Sequence, residues 1–156
     1  MINLRKVAVE DCRLIWKWAN DPLVRAESFA SDAIPYNDHV EWFKSKIKSP
    51  DCCFFIAENS NEKPFGQIRF ELEGKEAVAS VSLDREFRNK GYGSKIIALA
   101  SKKLFQISDV NVIHACIKKE NVVSASAFIK AGFIFLEEAL IKKQRADHFI
   151  LKKKKS

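Results

Sequence analysis

Residues 83–94 read LDREFRNKGYGS, and this segment lies between a predicted strand and the start of a predicted helix. Backbone N–H groups at a helix N-terminus have no intrahelical acceptor, and glycine lets an anion approach the backbone closely. Gly91 and Gly93 occupy this junction, and Arg88 and Lys90 add positive charge beside it. The segment therefore predicts a phosphate-binding loop, with a helix cap that binds nothing as the alternative. Its spacing matches neither the dinucleotide GxGxxG pattern nor the Walker GxxxxGK(S/T) pattern.

Hydrophobic periodicity and turn residues predict the elements on both sides of this loop. Strands are predicted at residues 2–9, 52–58, 65–72, 76–84, 112–117, 133–136 and 148–152. Helices are predicted from residue 10 to Asn20, from a cap at Asn37 or Asp38 to Lys48, and over residues 91–105 and 121–131. The short connections between residues 52 and 84 predict an antiparallel meander. This order predicts one domain spanning residues 1–156, a mixed α/β fold built around a central sheet.

The composition is that of a globular protein, and its charge first suggests an anionic partner. The 156 residues are 47% hydrophobic and 30% charged, with a formal net charge of +7. Such a chain is neither collagen-like nor largely disordered. Residues 142–155 contain seven positive residues and one negative residue, so most of the excess lies in a tail that we expect to be solvated and partly frayed. The net charge therefore does not predict a nucleic-acid or membrane partner. A small anion remains the expected binding partner.

The four cysteines, Cys12, Cys52, Cys53 and Cys116, do not show the paired spacing of a zinc site. No secretory leader precedes them, and no apolar run reaches the roughly 20 residues that cross a bilayer. We therefore expect a cytoplasmic protein with reduced thiols and no bound metal.

Two motifs carry a resemblance to a known family. Arg88-x-x-Gly91-x-Gly93 resembles the R/Q-x-x-G-x-G/A signature of the GNAT acetyltransferase superfamily. Residues 121–133, which read N-x-x-S-x-x-x-F-x-K-x-G-F, are similar to a second segment of that family. The order of predicted elements also fits the family over essentially the whole chain. The resemblance implies a mostly antiparallel sheet in which the cofactor, acetyl-CoA, separates one pair of parallel strands, with about four helices around it.

The same resemblance implies where acetyl-CoA binds. Its pyrophosphate is expected on the backbone amides of residues 89–94, and its pantetheine along the strand that ends at a bulge at Leu83. The Leu83 amide is the expected donor to the oxygen that becomes negative during acyl transfer. Asn121 is expected to bind the cofactor, to cap a helix, or to do both. The full set of implied cofactor contacts is Leu83, Arg88, Asn89, Lys90, Gly91, Tyr92, Gly93, Ser94, Asn121, Ser124, Phe128 and Lys130.

The two motifs do not identify the general acid and the general base of the reaction. An alkylammonium group has a pKa of about 10.4, so an amine acceptor must lose a proton before it attacks a thioester. Phe128 stands where the family often has a tyrosine acid, and Cys116 stands where several branches have a glutamate. His114 and Glu71 are the catalytic candidates that remain, with His39 as a further base. Direct attack by an already neutral amine, with water as the proton relay, is the alternative.

The acceptor is expected to bind at the first two predicted helices and the loop between them. This region resembles the branch that N-acetylates nucleotide-linked 4-amino-6-deoxy sugars. Aromatic rings stack on sugars or bases, and cationic groups bind a diphosphate, so the expected acceptor contacts are Trp18, Arg25, Tyr36, His39 and Trp42. At least one tryptophan is expected to be a core residue instead. Acetylation of ribosomal-protein N-termini or polyamines, and acyl-CoA binding without catalysis, are the alternatives; the choice between monomer and homodimer stays open.

Overall fold

A seven-stranded sheet forms the middle of the computed structural model, which describes residues 1–155. The strands are β1 (Asn3–Lys6), β2 (Cys52–Glu58), β3 (Pro64–Glu73), β4 (Glu76–Leu83), β5 (Val112–Lys118), β6 (Ile134–Ile141) and β7 (Gln144–Lys152). Their order across the sheet is β1-β2-β3-β4-β5-β7-β6. Every neighbouring pair is antiparallel except β4 and β5, which are parallel. The mixed sheet with one parallel pair is the arrangement that the sequence predicted.

Five α-helices cover the two faces of the sheet. They are α1 (Cys12–Ala19), α2 (Pro22–Glu27), α3 (Tyr36–Lys48), α4 (Tyr92–Ile107) and α5 (Val122–Lys130). Single 3-10 turns precede α1 and follow β4. Within residues 1–155, no helix combines the length and the apolar character that crossing a bilayer requires.

Alternating side chains of β2 connect two separate cores. Phe54 and Ile56 pack with α1 and α3 on one face of the sheet. Phe55 and Ala57 face the other way and join the larger core under α4 and α5. Successive strand residues point to opposite faces, so one apolar strand serves both layers. The result is a three-layer sandwich with the sheet in the middle.

The short helix α2 was not predicted. The sequence indicated that Asn20-Asp21-Pro22 ends a helix, and α1 does end at Ala19. The same residues also begin α2, because Asp21 accepts a hydrogen bond from the Leu23 amide at 3.0 Å and Pro22 occupies the first helical position. Proline is suited to that position, since its missing N–H would have no partner there. The segment after α1 therefore has a defined shape instead of an open loop.

The parallel strands β4 and β5 separate soon after they meet. They pair over three residues, as far as Val78 and His114. Beyond these, β4 stays paired with β3 up to Leu83, and β5 stays paired with β7 up to Lys118. The strands diverge because each follows its own antiparallel neighbour. The bulge expected at Leu83 is absent, since the register between β3 and β4 runs without a shift along the whole of β4.

The expectation of a frayed basic tail was wrong for most of residues 142–155. Residues 144–152 form β7, which lies between β5 and β6, and Ala146, Phe149 and Ile150 are buried. Arg145 and Lys152 of this strand are exposed, and the partly buried Asp147 forms an ion pair with Lys119, so the charges of the strand stay out of the core. Lys142 and Lys143 have positive φ angles of 49° and 65° and form the tight turn between β6 and β7. The predicted strand at 133–136 is accordingly longer, extending to Ile141.

Two glycines that lie beside the end of β4, Gly66 of β3 and Gly93 of α4, give a test of this packing. A Cβ atom at Gly66 would lie 2.8 Å from Leu83 Cδ2 and 3.2 Å from the Ser82 carbonyl oxygen. We therefore expect Gly66→Ala to lower the free energy of unfolding by about 1–3 kcal/mol. A Cβ at Gly93, in the first turn of α4, would meet its nearest neighbour at an ordinary 3.5 Å.

Gly93→Ala is therefore the matched control, and it should be neutral or stabilising by up to about 1 kcal/mol. Urea unfolding of the two variants without ligand makes the comparison. Equal stabilities would show that β3, β4 and α4 are not packed as described.

Candidate functional site

A cavity of about 290 Å³ lies in the gap where β4 and β5 separate. Residues of β4, β5, α5 and the segment around the end of α2 surround it. They are Glu27, Ser28, Phe29, Ala79, Ser80, Val81, Cys116, Ile117, Asn121, Ser124 and Phe128. The gap therefore passes through the sheet and connects the two faces.

One side of the gap is lined by backbone groups of β4 that have no strand partner. The Asp84 amide donates to the Phe65 carbonyl at 2.7 Å, which places this pair in hydrogen-bonding register with β3. Hydrogen bonding alternates along an antiparallel pair. The N–H and C=O groups of Val81 and Leu83 consequently point away from β3 and toward the gap. This is the edge on which an extended ligand forms strand-like hydrogen bonds.

The loop before α4 presents a second set of free amides. Asn89 and Gly91 have φ angles of +61° and +82°, and within residues 1–155 the amides of Asn89, Lys90 and Gly91 donate no hydrogen bond. The amides of the first turn of α4 have no intrahelical acceptor. A Cβ at Gly91 would meet no atom within 4 Å, so the space above the loop is open. These features fit a pyrophosphate, and Ser94 Oγ, which donates to the Gly91 carbonyl at 3.2 Å, supports the turn.

Arg88 supports this loop from below. Its Nε and Nη2 donate to the Leu83 carbonyl at 3.2 and 3.1 Å, and its Nη1 donates to Asp21 at 3.3 Å. The guanidinium group is therefore engaged with the end of β4 and the start of α2. This arrangement favours a structural role over the phosphate contact expected from the sequence.

The second motif lies across the gap from β4. Asn121 Oδ1 accepts a hydrogen bond from the Ser124 amide at 3.1 Å and caps α5, and both residues line the gap. Phe128 is fully buried against Phe133, whereas Lys130 is exposed. Asn121 thus has the cap role that the sequence allowed, at a position that also borders the cavity.

The two catalytic side chains expected from the sequence lie outside the cavity lining. His114 sits where β4 and β5 are still paired, with Nδ1 2.8 Å from His148 Nε2 and Nε2 2.5 Å from Glu76. Glu71, on β3, forms ion pairs with Lys46 and Arg69. Burial alone would raise the pKa of Glu71, but these two cations hold it below its usual value. Neither side chain is free at the gap.

The aromatic residues of α1 and α3 fall into two groups. Trp18 is buried and donates its indole N–H to Asp84 at 3.0 Å, so it is the tryptophan that belongs to the core. Tyr36 and Trp42 are half-buried and lie on either side of His39. His39 Nε2 lies 2.9 Å from the Cys12 carbonyl, and burial lowers its pKa. His39 is therefore a neutral donor inside the aromatic group.

Arg25 holds backbone in place. Its guanidinium donates to the carbonyls of Ala19, Ala30 and Asp32 and to Ser28 Oγ, at 2.6 to 3.4 Å. Its donors are directed at the end of α1 and at the segment that follows α2, which favours an anchoring role over the diphosphate contact expected from the sequence.

Two residues that sequence reasoning did not place stand close to the gap. Arg69 lies opposite Ser80 in the β3–β4 register, and its guanidinium packs 4.8 Å from the centre of the Trp42 ring. Glu27, the last residue of α2, lines the gap directly. The alternation of β3 could have placed Arg69 on this face, but Glu27 depends on a helix that the pattern did not reveal. Cys116 also lines the gap, and burial raises the pKa of its thiol.

A larger cleft of about 640 Å³ lies at the other side of the α4 N-terminus. It is lined by Met1, Ile2, Asn59, Ser60, Phe65, Tyr92, Lys95, Ala98 and Leu99. Tyr92 and Lys95 are the titratable side chains among these residues, and none of them carries a carboxylate. The gap, with its free backbone groups and its carboxylate, is the site equipped for chemistry.

Comparisons with known proteins agree with this geometry. A family model of the acetyltransferase (GNAT) domain matches residues 2–134. No curated protein sequence matches the chain. The fold is similar to the aminoglycoside acetyltransferase AAC(6')-Ib in complex with coenzyme A and kanamycin, with a TM-score of 0.84, 17% identity, and coverage of 97% of this chain and 95% of that chain. It is also similar to spermidine N-acetyltransferase from Vibrio cholerae in complex with CoA and spermine, with a TM-score of 0.85, 16% identity, and coverage of 97% and 95%.

At these identities the solved structures show the fold, and the family match over most of the chain shows the family. The parallel strands that separate and the loop of free amides before α4 are the features that the two sequence motifs predicted. The chain therefore belongs to the GNAT acetyltransferase family, and it is an acetyl-CoA-dependent N-acetyltransferase.

Proposed function

We propose that the acceptor is the 4-amino group of a UDP-linked amino-deoxy sugar, as the resemblance of the α1–α3 region suggests. The observation that carries this proposal is the position of Arg69. It lies one strand from the gap, with its guanidinium against Trp42, so a cationic and aromatic surface adjoins the place where the thioester is expected. Such a surface suits an anionic nucleotide whose sugar enters the gap.

In the proposal, acetyl-CoA binds through main-chain groups on the α4 side. The amides of residues 89–94 hold the pyrophosphate, and the free N–H and C=O groups of Val81, with the N–H group of Leu83, pair with the pantetheine. Asn121 and Ser124 face it from α5. The Leu83 amide is the proposed donor to the thioester oxygen as negative charge develops there. When bound, acetyl-CoA supplies the activated acyl group.

The charges around the gap favour an anionic acceptor over a polyamine. Arg13 packs 4.7 Å from the centre of the Tyr36 ring, and Arg69 packs near Trp42, so two guanidinium groups border the aromatic residues. The carboxylates nearby other than Glu27 are already paired, Asp21 with Arg85 and Arg88, and Glu71 with Lys46 and Arg69. A polyamine would require several free carboxylates. Polyamine acetylation is the second candidate function, because the similar Vibrio cholerae enzyme is in complex with CoA and spermine.

The cofactor assignment is tested at Gly91. Glutamate there would place a negative charge and a side chain over the free amides, so Gly91→Glu should weaken acetyl-CoA binding at least about tenfold, because each lost charge-assisted hydrogen bond costs about 1.5–3 kcal/mol. The measurement is titration calorimetry with acetyl-CoA.

Gly74→Glu is the matched control, because Gly74 also has a positive φ, +61°, and open space around it, but lies in the β3–β4 turn. It imposes similar backbone strain away from the loop and should leave the affinity unchanged. An unchanged affinity of Gly91→Glu for acetyl-CoA would disprove the assignment of the loop before α4 as the pyrophosphate site.

The acceptor is tested with a panel. Purified protein and acetyl-CoA are incubated with a UDP-4-amino-6-deoxy sugar, spermidine or an N-terminal peptide, and free thiol is measured over time. We expect the highest kcat/KM with the UDP-linked sugar. No turnover of that sugar would end the proposal, and acetyl-CoA binding without turnover of any acceptor would favour the non-catalytic alternative.

Arg69 provides a residue-level test of the same proposal. Arg69→Gln should raise KM for the UDP-linked sugar by about 10- to 100-fold, the effect of losing a hydrogen bond to a charged group, and leave the Kd of acetyl-CoA unchanged. Arg145→Gln is the control, because Arg145 is an exposed arginine of β7. Equal rises in KM for both variants would remove Arg69 from the acceptor site.

A further inference from the structure

Glu27 is the only residue with a carboxylate among those that line the gap. It enters from the end of α2 and shares the cavity with Ser80 of β4 and Cys116 of β5. Cys116 occupies the position at which the sequence resemblance led us to look for a glutamate base. A carboxylate is therefore present in the gap, but it comes from a different element of the fold.

The backbone on both sides of Glu27 is held by three long side chains. Lys118 Nζ donates to the Ala26 carbonyl at 2.9 Å, and Gln144 Nε2 donates to the Phe29 carbonyl at 2.8 Å. Arg25 Nη1 donates to the Ala30 carbonyl at 2.8 Å. Lys118 is buried, and burying a lysine ammonium group is costly unless the group is hydrogen-bonded. These anchors fix the position from which Glu27 reaches the gap.

Within residues 1–155, the Glu27 carboxylate makes no hydrogen bond and no ion pair. The nearest cations have other partners: Arg88 donates to Asp21 and to the Leu83 carbonyl, and Lys118 donates to the Ala26 carbonyl. Cys116, across the gap, is a neutral thiol. Burial raises the pKa of Glu27 and Asp21 raises it further, while the charge of Arg88 opposes the rise. The group is thus an unpaired acid in a half-buried site, which is where proton-transfer residues are found.

We propose that the Glu27 carboxylate receives the ammonium group of the acceptor and accepts its proton. This inference rests on amine acetylation as the function, but not on which amine is used. The transfer converts R–NH3+ and the carboxylate into R–NH2 and a neutral carboxylic acid. The freed lone pair then forms the C–N bond, and the electron pair of the broken C–S bond leaves with sulfur. Sulfur takes up one proton and a second proton leaves for solvent, so the products are the acetamide, coenzyme A and one released proton.

The sign of the pH dependence follows from this role. The active form of Glu27 is the deprotonated one, so kcat/KM falls as the pH drops through the pKa of this group, which lies above the ordinary glutamate value. The Glu27→Gln variant has no carboxylate to titrate at this position. Its kcat/KM should therefore lack this fall at low pH, the acid limb of the pH profile.

The experiment compares Glu27→Gln with Glu10→Gln, the same change at an exposed residue of the turn before α1. The acceptor is the primary amine of the panel that the wild type turns over fastest. We expect Glu27→Gln to lower kcat by about 100- to 10,000-fold, the usual contribution of a general base, and to lose the acid limb. Its Kd for coenzyme A by calorimetry should stay within about twofold of the wild-type value, since binding uses main-chain groups. Glu10→Gln should match the wild type in all three measurements.

A second readout does not depend on turnover. Carboxyl-carbon NMR of the wild type, with the Glu27 signal assigned by its absence in Glu27→Gln, should show a pKa above the ordinary value of about 4.3 and a shift of this signal on addition of coenzyme A. A Glu27 pKa below the ordinary value, or a Glu27 signal that does not shift on addition of coenzyme A, would overturn the inference. A rise in KM with unchanged kcat would also overturn it, because Glu27 would then only bind the ammonium group. Full activity in Glu27→Gln would overturn the inference alone, whereas an inactive wild type would overturn the proposed function as well.

Discussion

The separation of β4 from β5 is the constraint on which the site depends. A sheet normally satisfies every backbone group of its inner strands, yet these two strands share only three residue pairs before each follows its own antiparallel neighbour. The amide and carbonyl of Val81 and the amide of Leu83 are left facing a gap in the middle of the sheet. An extended chain with amide groups of its own can satisfy them, which is what the pantetheine of acetyl-CoA provides.

The segment after α1 turns this gap into a site for chemistry. Asp21 caps α2 and also accepts a hydrogen bond from Arg88, which in turn donates to the carbonyl at the end of β4. The start of α2 is thereby tied to the cofactor loop, and Lys118 ties its end to β5. The two ties hold the half-buried Glu27 at the gap between the strands. In the function that we propose, cofactor binding and proton transfer share this framework.

Local signals explain what the sequence could predict. Gly91 needs a positive φ angle, and Asn121 caps α5 with its own side-chain oxygen, so both motifs were visible as local patterns. The six-residue α2 is too short to show a hydrophobic period, and Glu27 could not be placed without it. The partner of Lys118 is 92 positions away, and residue types alone do not reveal such pairings. The absence of a bulge at Leu83 depends on strand pairing across the whole sheet, which is likewise invisible in local sequence.

Amide hydrogen exchange with and without coenzyme A tests the occupation of this gap most directly. In the free protein, the amides of Val81 and Leu83 point into the gap and those of residues 89–91 donate no hydrogen bond, so they should exchange quickly. The account predicts that coenzyme A slows exchange at both groups and leaves β1 and β6 unaffected. Protection confined to other parts of the chain, with these amides unchanged, would contradict it.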